Sequence, residues 1–85
     1  MKFKKIVSFC QKNNIEFEQL VTKEQGKEVD IMNLFLGNYM LVIYNNGSKP
    51  FVELYTDIHG DDGEIYEYGR ITQNEIIGIV MGAMV

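Results

Sequence analysis

Residues 28–44 read EVDIMNLFLGNYMLVIY, and the fold is decided there. Val29 and Ile31 alternate with Glu28 and Asp30, the two-residue period of a strand with one dry and one wet face. The run ends in Leu34-Phe35-Leu36, and Gly37-Asn38 follows as a tight hairpin signal. Tyr39 to Tyr44 is apolar on both faces, which predicts a strand in the middle of a sheet. An antiparallel hairpin is therefore the seed of the domain.

Toward the N-terminus the same period continues. Ile15, Phe17 and Val21 alternate with Glu16, Glu18 and Thr22, and the polar Lys23–Lys27 stretch is a turn. Before it, Phe3, Ile6, Val7 and Cys10 recur at helical spacing and predict an amphipathic helix over 2–13, with Phe9 at its margin. Asn13-Asn14 supplies a stop, because Asn tolerates the left-handed conformation. Toward the C-terminus, Asn45–Ser48 is a turn in which Asn46-Gly47 suits a primed type, and Pro50 marks a strand start. Phe51–Ile58 and Glu64–Ile71 read as two more strands around the loop Gly60-Asp61-Asp62-Gly63. Thr72 and Glu75 form a capping box that opens a final, nearly all-apolar helix from Gln73. In that helix Ile76, Ile79, Val80 and Ala83 trace a stripe suited to the sheet, whereas Ile77, Met81 and Met84 have no evident client. Gly78 and Gly82 are four apart, and the sequence predicts that they let the helix approach the sheet closely. The expectation is one α+β domain over 1–85: a five-stranded antiparallel meander with a helix at each end, both on one face.

Composition narrows the function. The 85 residues carry a net charge of −4, with a pI near 4.8, which opposes direct binding of nucleic acid by the molecule as a whole. One Cys excludes an internal disulfide and a Cys-based zinc site, and suits a reducing compartment such as the cytoplasm. No secretory signal is read, and the longest apolar stretch, Ile76–Val85, has ten residues where a membrane helix needs about 20. Asp57, His59, Asp61, Asp62 and Glu64 make a loop rich in oxygen ligands. It fails the calcium-loop pattern, because Asp62 stands where that pattern needs Gly and Tyr68 where it needs Glu. A polar hairpin tip is the simpler reading, and no metal or cofactor is expected. Ser8, Cys10 and Ser48 lack any nucleophile context, so no catalytic residue is assigned and the chain reads as a non-enzyme.

Charge is unevenly spread. Residues 1–27 hold six Lys and three Glu, while residues 51–68 hold six acids and no base. Such a hairpin is most simply a solvated face that keeps the molecule soluble. The functional alternative is a recognition surface made of Glu53, Tyr55, Asp57, Asp61, Asp62, Glu64, Tyr66 and Tyr68 for a basic protein partner. Alternation puts Glu53, Tyr55 and Asp57 on one face and Tyr66 and Tyr68 on one face, without fixing whether the two coincide. Acids and tyrosines together also suit mimicry of nucleic acid toward a nucleic-acid-binding protein. In size, charge and element order the chain is similar to small acidic accessory proteins of phages and mobile elements, among them inhibitors and immunity proteins. That resemblance implies a binding module that blocks a partner's surface. The alternative is a small homo-oligomeric scaffold, a homodimer through the apolar C-terminal helix.

Overall fold

The computed structural model describes residues 3–83. In chain order it contains α1 (Lys4–Lys12), β1 (Glu16–Glu24), β2 (Lys27–Leu36), β3 (Tyr39–Asn45), β4 (Phe51–Tyr55), β5 (Ile65–Arg70) and α2 (Gln73–Ala83). Every strand pairs antiparallel with its chain neighbour, so spatial order equals chain order. The fold is the α+β meander expected from the sequence. Lys2, Met84 and Val85, assigned to the helices from sequence, lie outside the described residues.

The turns show how local chemistry sets register. Glu24 pairs with Lys27 across Gln25 (φ 50) and Gly26 (φ 80), a two-residue loop with both positions left-handed. Leu36 pairs with Tyr39 across Gly37 (φ 65) and Asn38, with the glycine in the first loop position. The expected primed turn at Asn46-Gly47 does not form, since neither residue has a positive φ. Gly47 instead leaves space that the end of the Arg70 side chain occupies, so a larger residue there would displace the guanidinium. A Cβ on it would lie 2.7 Å from the Arg70 guanidinium, which donates to Asn46 Oδ1 and to the Lys49 carbonyl, both at 2.9 Å. The expected strand Phe51–Ile58 ends early, at Tyr55, because Asp57 turns left-handed (φ 48) and its carbonyl accepts from the Gly60 N–H.

Register assigns each strand residue to a face. Phe17, Leu34, Leu41, Leu54 and Tyr66 form one transverse row, and Gln19, Met32, Ile43, Val52 and Gly69 the next. Both helices pack on this side: Phe3, Ile6 and Cys10 from the α1 end, and Ile76 and Val80 from α2, join Met32, Leu34, Leu41, Ile43 and Val52 in one buried core. The shortest molecular dimension, 19 Å, fits two layers, one of sheet and one of helices. α1 has no side-chain N-cap. Phe3 stands at its start with φ 54 and is fully buried, so packing anchors this end. At α2 the capping box is present: the Thr72 N–H donates to Glu75 Oε1 at 3.1 Å, and the Glu75 N–H to Thr72 Oγ1 at 3.2 Å.

The expected close approach of Gly78 and Gly82 to the sheet is not observed. Both are exposed, and a Cβ on either would meet nothing within 4 Å. The buried stripe runs through Ile76 and Val80, and a residue two further along lies about 200° round a helix. Ile77, expected to lack a client, is half-buried against the core, while Met81 is 55% exposed. Gly78→Ala and Gly82→Ala should therefore each stabilise the fold, by up to about 1 kcal/mol of helix propensity. Chemical denaturation should show higher midpoints with unchanged slopes.

Candidate functional site

The side of the sheet away from the helices is also largely apolar. Three rows cross all five strands there. Glu16, Phe35, Met40, Tyr55 and Ile65 form the first, Glu18, Asn33, Val42, Glu53 and Glu67 the second, and Leu20, Ile31, Tyr44, Phe51 and Arg70 the third. Phe35, Met40, Tyr55, Ile31, Tyr44 and Phe51 are half-buried by one another, without a second layer of secondary structure over them. The middle row is polar and mostly acidic. Asn33 Nδ2 donates to Glu18 Oε1 at 2.9 Å, and Glu53 stands directly opposite Glu67. Like charges in that position repel, and both helices among the described residues pack on the other side of the sheet.

Aromatic rings border the Glu53 carboxylate. Burial pushes the Tyr44 phenol well above the usual tyrosine range, and hydrogen bonding to Glu53 adds to the shift. Tyr44 thus stays protonated as a donor to that carboxylate. Tyr44 and Phe51 rings lie 6.2 Å apart, and the Arg70 guanidinium sits 5.9 Å from the Phe51 centroid. Arg70 shows a cation resting against this aromatic surface at its margin, held there by Asn46 Oδ1 and the Lys49 carbonyl.

The eight residues singled out from sequence divide into three places. Glu53 and Tyr55 lie on the open face, in the rows above. Asp57, Asp61, Asp62 and Glu64 lie in the loop after β4. Alternation puts Asp57 on the strand face with Glu53, but the strand ends before reaching it. Its carboxylate works within the chain, accepting from Asn38 Nδ2 and from the Asp62 N–H, both at 3.0 Å. Asp61 and Asp62 are exposed. Tyr66 pairs with Leu54 and so belongs to the helix side, where it is 52% exposed and donates to Glu64 Oε2 at 2.6 Å. A register shift opposite Val52/Glu53, with Gly69 at φ 75, interrupts the alternation beside Tyr68, which is 41% exposed. Faces of the two strands therefore do not coincide as a single tyrosine-acid surface. The candidate surface read from sequence does not include Tyr44, Phe51, Phe35 or Met40, and counts Glu67 only among the six acids of residues 51–68. The signal was present in Tyr39–Tyr44: a strand apolar on both sides needs cover on both sides, and two short helices supply one.

Among the described residues, no group of three or more His, Cys, Asp or Glu is placed to hold a metal ion. Cys10 is buried, and desolvation pushes its thiol up to about 11, leaving it protonated and inert at neutral pH. No helix among the described residues is long and apolar enough to cross a membrane. No protein-family model, curated protein or solved structure matches the chain.

The polar loop makes its own contribution to stability. Hydrogen bonds from Asn38 and the Asp62 amide hold the Asp57 carboxyl below its ordinary range, and those from Thr72 do the same for Glu75. A carboxyl depressed in the folded state stabilises it above the unfolded-state value, and that contribution disappears as pH falls through the folded value. Melting temperature should thus decline between roughly pH 5 and pH 2. Asp57→Asn should lower stability near neutrality and flatten that decline, as a pH series of thermal melts would record.

Proposed function

We propose that this chain is a non-enzymatic binding module whose open sheet face docks on a basic protein surface and blocks it. The observation that carries the reading is the three-row surface: aromatic and aliphatic rows on either side of a carboxylate row, with helices only on the opposite side. Aromatic anchors give contact area, and carboxylates between them select partners with Lys or Arg. In this reading Glu53 and Tyr55 are contact residues, together with Tyr44, Phe51 and Glu67. Asp61, Asp62 and Glu64 steer the encounter from the neighbouring loop, and Tyr66 and Tyr68 stand outside the contact. A partner that normally binds nucleic acid would present the matching charge. Such a module acts as a small accessory inhibitor or immunity protein, and its single thiol suits a cytoplasmic setting.

Electrostatic steering separates this from a merely solvated loop. Replacing Asp61, Asp62 and Glu64 with neutral isosteres should slow association with the partner captured from host lysate by roughly tenfold at low salt, with dissociation little changed. At high salt the two proteins should converge. Equal association rates at both salt concentrations would contradict the steering role and move attention to the lysine-rich α1.

A second reading rests on α2. Met81 is exposed, and Gly78 and Gly82 leave its outer surface bare, so a homodimer packed through this helix is the alternative. Sedimentation separates them: a concentration-independent monomer mass removes the helix-mediated dimer.

A further inference from the structure

The sheet has two edges, and they are unlike. β5 is short, and the register shift beside it with Gly69 at φ 75 twists that edge away from further pairing. β1 keeps unbroken register with β2 from Glu16 to Glu24, contains neither glycine nor proline, and among the described residues has no strand on its outer side. Its outward backbone amides and carbonyls form a template for another strand. Leu20 and Val21, 46% and 62% exposed, place one aliphatic side chain on each face of this edge.

The edge also carries a charge pattern. Glu16, Glu18, Leu20, Thr22 and Glu24 share the open face with their partners on β2, and Phe17, Gln19, Val21 and Lys23 share the helix face. We propose that β1 accepts an extended antiparallel strand from a protein partner. That strand carries Lys or Arg opposite Glu16 and Glu18, aliphatic residues opposite Phe17, Leu20 and Val21, and an acid opposite Lys23. Main-chain hydrogen bonds supply affinity and the alternating side chains supply selectivity. A second copy of this chain fits poorly. A two-fold pairing centred on Leu20 sets Glu16 against Glu24 at both ends, and one centred on Val21 sets Glu18 against Glu24. Centring on Gln19 shortens the ladder to Glu16–Thr22 and buries Leu20 against Glu18. The added strand hydrogen-bonds along the outer edge of β1, whereas the docking contacts Tyr44, Phe51, Glu53, Tyr55 and Glu67 lie on β3, β4 and β5; Glu16, Glu18 and Leu20 border both, so slowed amides in β1 distinguish the two proposals.

A cyclised two-stranded hairpin peptide tests it, since cyclisation removes most of the cost of ordering the probe. Its outer strand reads Glu-Thr-Val-Val-Gln-Lys-Val-Lys; a control peptide has Glu in place of both Lys. Amide exchange of the full chain is followed by NMR. The first peptide should slow exchange of alternate amides in Glu16–Lys23 and bind at least roughly tenfold more tightly than the control. An E16K/E18K chain, altered only at exposed positions, should reverse that preference. Equal binding of both peptides, absence of slowed amides in β1, or slowing confined to β5 or the open face would overturn the proposal. So would concentration-dependent slowing without peptide, which assigns the edge to a second copy.

Discussion

Ending the chain after Gln73 is expected to abolish cooperative folding. α2 contributes Ile76 and Val80, both fully buried, and Ile77 and Ile79 pack partly against the same core. Buried aliphatic side chains of this size are worth about 1.5–3 kcal/mol each. A chain of this length has a total stability of only roughly 4–13 kcal/mol. Loss of the helix also uncovers Leu41, Ile43 and Val52 on the helix side, while the other side of the sheet is already open. The truncated chain would present two apolar faces to water and should aggregate or remain unfolded. A soluble truncation with a sigmoidal melt would show that α2 is peripheral. Ile76→Ala gives the graded version: a loss of about 2–5 kcal/mol, measurable by denaturation.

The second large effect concerns the open face. Glu53→Lys with Glu67→Lys should reduce partner affinity by roughly 100-fold or more, because two cations would then meet a basic surface across a desolvated contact. The opposed pair remains like-charged before and after, but Glu53→Lys also removes the acceptor of the Tyr44 phenol, so a modest stability loss of about 1 kcal/mol should accompany the much larger loss of affinity. Glu67→Gln is the informative companion. Removing one of two facing carboxylates relieves their repulsion, so this variant should melt slightly higher while binding more weakly. Opposite signs in stability and affinity are the mark of a residue kept for recognition. If both quantities fall together, Glu67 is a structural residue.

Much of this architecture was legible in local chemistry. Gly37-Asn38 and the Thr72–Glu75 capping box fixed a hairpin and a helix start by short-range rules that tertiary packing left in place. The face of each residue on β4 and β5 was harder to read. Alternation holds only while register does, and the shift at Val52/Glu53 breaks it. Gly69 inside a strand was the available hint of that bulge. The left-handed Asp57 had no comparable signal, since its conformation depends on Asn38 and the Asp62 amide, residues brought to it by the folded loop. Gly78 and Gly82 face away from the sheet because each stands about 200° round the helix from the buried Ile76 and Val80, an angle that the helical period contains and the spacing between the two glycines does not.

Neighbouring residues on β3 offer the most direct test of the docking face, because they report opposite sides of the same strand. Met40 and Val42 belong to the open face, Leu41 and Ile43 to the helix side. Methyl NMR spectra of the full chain, recorded as captured partner is added, should show shifts for Met40, Val42, Ile31 and Ile65, with Leu41, Ile43 and Val52 unmoved. Shifts confined to the helix side, or to Ile58 in the acidic loop, would contradict the open face as the docking surface.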